Sequence, residues 1–226
     1  MKAIILAAGR GERMRPLTDA MPKPLLPAGG KPLIVRHLEK LAAAGFRVIV
    51  INHAHLGAMI EQFLGNGADF GVEIHYSREQ QALETAGGIA YALPLLGATA
   101  FAAVNADVYS DYDYTRLPAL VNRLDDGGAL ASLVLVDNPP HNPDGDFALN
   151  NGCAALEGAR FTFSGIAAYH PAMFAAIVRG QKARLAPLLR SQIAARRVLG
   201  EHHAGLWRDI GTPERLSQLN AELAGR

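Results

Sequence analysis

The amino-acid sequence predicts an α/β fold: a Rossmann-like, doubly wound, mixed but mainly parallel sheet, with a small β-rich lobe in its second half. Three observations carry that expectation. Lys2–Ala7 (KAIILA), Phe46–Ile51 (FRVIVI) and Phe101–Val104 (FAAV) have the nearly unbroken hydrophobicity of strands buried on both faces. Between them the apolar residues change to helical spacing. The connections are short, so each crossover is expected to be right-handed and the strands parallel.

Taken in order, the first strand is followed by a polar loop dense in Gly, Arg and Pro. Leu33, Ile34, Leu38 and Leu41 repeat at helical spacing, and Gly45 stops that helix. Phe46–Ile51 is a second strand, Leu56–Leu64 a second helix and Val72–Tyr76 a third strand. A helix starts near Thr85 and runs to Leu93, ended by Pro94. Phe101–Val104 forms a fourth strand, with Asp107 just beyond it. In the second half, Asp137–Asp146 (DNPPHNPDGD) reads as a turn-rich loop between two β segments. Phe161–Tyr169 reads as a strand, followed by short helices near Pro171–Val178 and Leu185–Ala195 and an extended excursion over Val198–Trp207. The last helix opens at Thr212-Pro213-Glu214, with a Thr cap, Pro at the first helical position and an acid in the first turn. Leu216, Leu219 and Leu223 are its buried stripe. No repeat or linker divides the chain, so residues 1–226 are read as a single domain.

Composition removes several function classes. Lys and Arg number 22 against 21 Asp and Glu in 226 residues, a formal charge of +1. That balance argues against a general nucleic-acid or membrane-surface binder but leaves room for a local basic pocket. One cysteine, Cys153, excludes an internal disulfide framework and a multi-cysteine zinc site. The apolar run Ile4–Gly9 is too short for a secretory signal, and no run approaches the roughly 20 residues that span a bilayer. The expectation is a cytoplasmic protein, monomeric or a small homo-oligomer. His53 with His55, and His202 with His203, lack the helical spacing of a two-histidine zinc site and read as structural or surface residues. Tyr109, Tyr112 and Tyr114 wall a pocket or pack in the core.

In doubly wound sheets, ligands bind beyond the carboxyl ends of the strands. Three segments fall there: the loop after the first strand, Glu84–Gly88, and Asn105–Asp107. The loop, Ala7–Thr18 (AAGRGERMRPLT), places Gly9 and Gly11 beside Arg10, Arg13 and Arg15, with Lys23 just after. Glycines admit close backbone approach and cations neutralise phosphate, so the loop suits a polyphosphate. It is not a dinucleotide fingerprint, because Met14 stands where the third Gly belongs, and no Gly-Lys-Ser/Thr marks a P-loop. Gly87 and Gly88 each cost a helix about 1 kcal/mol relative to Ala, so they clear space for a ligand or serve a helix-packing contact. Asp107 and Asp209 are turn or cap residues, or carboxylates that together hold Mg²⁺.

LAAGRGERMRPLT followed by PKPLLP resembles the signature of the sugar-1-phosphate nucleotidyltransferases. The resemblance implies the nucleotide-diphospho-sugar transferase fold, with residues 1–110 mainly nucleotide-binding and 111–226 mainly sugar-binding. It implies that Ala8, Gly9, Gly11 and Glu12 wrap a nucleoside triphosphate. Arg13 and Lys23 would be the catalytic cations on the α-phosphate and the departing pyrophosphate. Glu84, Gly87 and Gly88 would border the nucleobase and ribose, and Asp107 and Asp209 would bind Mg²⁺. The segments LETAGGI, NADVYSDYD, LVDNPPHNPDGDF, FTFSGI, LAPLLR and DIGTPERL further resemble the family's short branch acting on UTP and N-acetylmuramate 1-phosphate, in peptidoglycan recycling. On that resemblance Gly145, Asp146 and Gly165 border the sugar 1-phosphate, Asn105 lies on the sugar side, and Glu157 occupies the place of a sugar-contacting Glu. Two departures stand out: Ala106 where many relatives have Gly, and Gly158 where a Lys often follows the Glu. The residues alone do not choose uracil over guanine, so mannose-1-phosphate guanylyltransferases and other hexose-1-phosphate nucleotidyltransferases remain an alternative.

Overall fold

The apolar runs become the middle of one sheet. A computed structural model describes residues 1–225. Its first half runs β1 (Lys2–Leu6), α1 (Leu17–Ala20), β2 (Pro27–Ala28), β3 (Lys31–Pro32), α2 (Leu33–Ala43), β4 (Val48–His53), α3 (Gly57–Leu64), β5 (Glu73–Arg78), α4 (Glu84–Leu96), β6 (Phe101–Asn105) and β7 (Val108–Ser110). The second half adds α5 (Leu117–Gly127), β8 (Ala131–Val136), β9 (Phe147–Asn150), β10 (Cys153–Ala155), β11 (Arg160–Tyr169), α6 (Leu185–Ala194), β12 (Val198–His203), β13 (Trp207–Asp209) and α7 (Pro213–Ala224).

Nine strands form the main sheet in the order β5-β4-β1-β6-β11-β8-β12-β10-β9. The first four are parallel, β11 runs antiparallel between β6 and β8, and β12 is parallel to β8. From β1 the chain winds outward through β4 to β5, then returns to β6 on the other side of β1. The strand order therefore reverses between β1 and β6, where the following loops part and leave a crevice. Strand residues alternate between two helical layers. Ala3 and Ile5 pack with Leu38, Leu41, Ile60 and Leu117 on one face. Ile4 packs with Ile89, Leu189 and Ile193 on the other. The β-rich lobe is β9, β10 and the outer end of β11, continuous with the main sheet as its edge.

Three elements differ from expectation, the first being the short helix near Pro171–Val178, which is a single 3₁₀ turn over Pro171–Phe174. α4 continues past Pro94 to Leu96. Pro94 lies in the last turn, so its missing N–H removes little of the ladder, and Gly97 closes the end by donating to Leu93 O at 2.8 Å. The excursion over Val198–Trp207 is in large part β12, paired with β8 from Val198↔Ala131 to His203↔Val136. Its sequence, VLGEHH, hides this because the polar residues find partners of their own. Glu201 accepts from Tyr112 Oη at 2.8 Å, His202 meets Asp137 at 2.8 Å and His203 meets Asp111 at 2.7 Å.

A third, smaller core seats α7 under the loop that follows β1. Met14, Leu33, Ile210 and Leu219 are fully buried there, with Leu216 beside them. Met14 thus occupies the position of the missing third glycine as a packing anchor. No described helix is long and apolar enough to cross a membrane.

Candidate active site

The loop after β1 is shaped by one glycine and left open by another. Gly11 has φ 65°, and a Cβ there would lie 2.9 Å from Thr18 Cγ2. Thr18 Oγ1 donates to Gly11 O at 2.8 Å and fixes the turn. A Cβ on Gly9 would meet nothing within 4 Å, so that backbone faces open space. Arg10 pairs with Glu12 at 3.8 Å, and Arg15 with Asp19 at 3.2 Å, on the loop surface. Arg13 turns the other way: its Nη2 lies 3.4 Å from where a Gly211 Cβ would stand, beside Asp209.

Two cavities meet in the crevice. One, of about 350 Å³, is lined by Ala8, Gly9, Lys23, Glu84, Asn105 and Asp107 among others. The second, of about 570 Å³, is lined by Gly9, Gly11, Glu12, Arg13, Lys23 and Asp107, closed by Gly211. Gly9, Lys23 and Asp107 belong to both, so the two are lobes of one cleft. Lys23 has a nearly buried side chain, and its Nζ lies 2.5 Å from Asp107 Oδ2.

The two aspartates, a hundred residues apart, are joined by a two-stranded ribbon. β7 and β13 pair antiparallel with Asp209 opposite Val108, and Ile210 N donates to Asp107 O at 2.8 Å. Asp209 is held on both oxygens, by His141 Nε2 at 2.9 Å on Oδ1 and by Arg215 Nη1 on Oδ2. A Cβ at Gly211 would sit 2.9 Å from Arg215 Nη1 and 3.1 Å from Asp209 Oδ2. The site thus offers two carboxylates, each facing a cation. Among the described residues no cluster of three metal-binding side chains occurs. Two carboxylates suit Mg²⁺, a hard cation that takes one or two of them and completes its shell with phosphate oxygens and water. Ala106 is accommodated: it is buried, and its N–H donates to Leu6 O at 3.0 Å.

Behind the ribbon, His37 of α2 is buried with Nδ1 2.8 Å from Tyr114 Oη. Burial, together with the smaller effect of the nearby Lys40 charge, pushes its pKa down to about 4.

Other expected residues take different places. Glu84 lines the cleft in a left-handed conformation, φ 62°, uncommon for a residue with a side chain. Gly87 and Gly88 stand behind the wall, so here the packing role is the one observed. Gly87 N donates to Ala183 O at 3.1 Å, and a Cβ on it would lie 2.5 Å from Gln181 O. A Cβ on Gly88 would strike Asn52 and Glu79, each at 2.7 Å. Those two were not anticipated. Glu79 accepts from Asn52 Nδ2 at 2.7 Å and from Leu83 N at 2.9 Å, while Asn52 Oδ1 accepts from Ala7 N. Burial pushes the Glu79 carboxyl up, against those hydrogen bonds. Asn52 lies one residue before the end of β4, much as Asn105 ends β6, a signal the sequence offered.

On the sugar side, β11 bulges between Phe163 and Ala167. Gly165, at φ 78°, lies against Asn105; a Cβ there would be 2.6 Å from Asn105 Nδ2. Trp207 Nε1 donates to Ser164 O at 2.8 Å, tying the bulge to the ribbon. Gly145, at φ 62°, packs on Asn138 and Arg160. Asp146 accepts from Phe163 N at 2.8 Å, so its carboxylate braces β11. Glu157 is exposed in the turn before β11, at the outer edge of the sheet. It lines none of the four described cavities. A further cavity of about 820 Å³ lies between the Val136–His141 segment and α7, with Asp209 on its wall.

Comparison with known proteins agrees with this architecture. The Nucleotidyl transferase family profile matches residues 2–147. The chain is 54% identical over 230 residues to the N-acetylmuramate alpha-1-phosphate uridylyltransferase of Neisseria meningitidis serogroup B, covering 100% of this chain and 99% of that one. It is 36% identical over 115 residues to the mannose-1-phosphate guanylyltransferase of Mycobacterium tuberculosis, a match spanning 51% of this chain and 32% of the relative. A crystal structure described as a glucose-1-phosphate thymidylyltransferase from Bacillus anthracis superposes with a TM-score of 0.85 over 99% of this chain and 95% of that one, at 23% identity, and shares its fold.

Proposed function

The chain belongs to the nucleotidyl transferase family, and from that premise we propose that it transfers a uridylyl group from UTP to N-acetylmuramate 1-phosphate, releasing pyrophosphate and UDP-N-acetylmuramate. The observation that carries the choice of substrates is the likeness to the Neisseria uridylyltransferase along both chains in full, whereas the Mycobacterium guanylyltransferase matches half of this one. The cleft supports the chemistry, because Arg13, Lys23 and Asp107 line it together, and Asp209 Oδ2 stands just beyond its Gly211 wall, 3.1 Å from where a Gly211 Cβ would be.

An oxygen of the sugar 1-phosphate attacks the α-phosphorus of UTP. A new P–O bond forms as the bond to the β-phosphate oxygen breaks, and pyrophosphate leaves with the electron pair. Both partners are anions, so the site's task is neutralisation and alignment. The attacking oxygen is already ionised at neutral pH, and no general base is needed. The amides around Gly9 and Gly11 approach the phosphates, and Lys23 and Arg13 stabilise the leaving pyrophosphate. Asp107 and Asp209 would hold Mg²⁺, which would supply positive charge to offset that of the phosphates. The cleft is complete within one chain, so a monomer or small homo-oligomer suffices. UTP as donor puts the reaction in the cytoplasm, returning a recycled sugar to cell-wall precursor synthesis.

The test is pyrophosphate release with UTP, dTTP and GTP against N-acetylmuramate, N-acetylglucosamine, glucose and mannose 1-phosphates. The highest kcat/KM is expected for UTP with N-acetylmuramate 1-phosphate. Preference for GTP with mannose 1-phosphate would overturn the substrates and leave the mechanism standing.

A further inference from the structure

We propose that His141 is a positioning residue for Asp209, through which the loop between β8 and β9 couples the sugar-phosphate side of the cleft to the metal-holding carboxylates. The proposal rests on the role given to Asp209 above.

Asp137–Asp146 reads as a loose turn, yet it is braced throughout. Pro139, Pro140 and Pro143 restrict its backbone. Asn138 Nδ2 donates to Pro143 O at 3.1 Å and to Arg160 O at 3.0 Å, and its Oδ1 accepts from Thr162 Oγ1 at 2.9 Å. Asn142 Nδ2 reaches Thr162 Oγ1 at 3.1 Å and Asp146 Oδ2 at 3.3 Å, while Asp146 holds Phe163 N. Asp137 is engaged by His202. These side chains all tie the loop to itself, to β11 or to β12. His141 alone among them crosses to Asp209, where its Nε2 lies 2.9 Å from Oδ1.

That contact differs in kind from the one Arg215 makes on Oδ2. Arg215 stands six residues from Asp209 on the adjoining helix and moves with it. His141 comes from the far side, on a loop whose other end holds the strand beside the β11 bulge and Asn105. A displacement of that loop would reach the Asp209 carboxylate through the close His141 Nε2–Oδ1 contact. Groups that orient a metal ligand from behind typically change metal affinity or activity about 10- to 100-fold when removed.

The experiment uses the full chain, with Mn²⁺ as a paramagnetic probe titrated in the absence of nucleotide and again with UTP. His141→Ala is expected to weaken Mn²⁺ binding by about 10- to 100-fold. It should also raise KM for the sugar 1-phosphate while leaving KM for UTP unmoved, with an unchanged melting temperature. His141→Gln, whose amide can donate from near the imidazole Nε2 position, is expected to recover most of both losses. Mn²⁺ binding that is unchanged or tighter in His141→Ala overturns the proposal, as does an equal rise in both KM values. Asp209→Asn separates the two readings. If it loses Mn²⁺ while His141→Ala does not, only the role of His141 fails; if it binds Mn²⁺ like the parent, the assignment of Asp209 fails as well.

Discussion

Asp107 lines the cleft and Asp209 stands beside it on the wall of the neighbouring cavity, and the two carboxylates are put in place in different ways. Asp107 follows the fully buried β6 almost directly, so the central sheet fixes its position, and one nearly buried lysine faces it. Asp209 ends a three-residue strand outside the main sheet and owes its orientation to side chains from two other elements. Where the backbone is anchored in a packed sheet, one charge partner suffices. Where it is not, side chains from other elements do the orienting, and more of the chain becomes answerable for the chemistry.

The strongest way to break that comparison is at its common point. Lys23→Ala or Asp107→Ala is expected to lower kcat by roughly 10²- to 10³-fold, the scale of losing one charge-stabilising group, with the melting temperature close to the parent's. Near-normal pyrophosphate release would sink the assignment. Gly165→Ala tests the sugar side. The added methyl meets Asn105 at a positive φ, so a tenfold or larger rise in KM for the sugar 1-phosphate is expected, about 1.4 kcal/mol, with KM for UTP steady.

A smaller effect comes from behind the ribbon. His37 has a folded-state pKa near 4, below its unfolded value. Its contribution to stability is therefore present above about pH 6.5 and lost as the pH falls toward 4, because only the unfolded chain takes the proton readily. Chemical denaturation of His37→Gln across that window should show a flatter pH dependence than the parent; identical slopes would place the charge-sensitive group elsewhere. The smallest effect is Glu157→Ala, expected to leave kinetics within about twofold, as exposed substitutions away from a site usually do. A loss of sugar binding there would show that the outer edge of the sheet folds over the substrate.

What could be read in advance follows the same division. The parallel core was legible because three apolar runs and their helices are local patterns, and the glycine-arginine loop and Asp107 are placed by being next to them. The reading of Asp209 as a metal ligand came only through the resemblance of its segment to a family motif. Its pairing with β7 was not, since three-residue strands carry no periodicity. β12 was hidden by polar side chains whose partners, Asp111, Asp137 and Tyr112, lie far away in sequence. Gly87 and Gly88 looked like ligand clearance because sequence cannot show that the backbone of residues 181–183 passes behind them. His141 had no signal beyond its place in a turn.

Met14 gives the loop after β1 an unexpected dependency. Its side chain is sealed into a small core with Ile210, Leu216 and Leu219, so that loop rests on the final helix as a lintel rests on its post. A proteolytic cut in the connection between β12 and β13 would remove nothing from the loop and still unseat it. Limited proteolysis followed by a UTP-binding assay should find the nicked protein intact in mass yet weakened toward nucleotide.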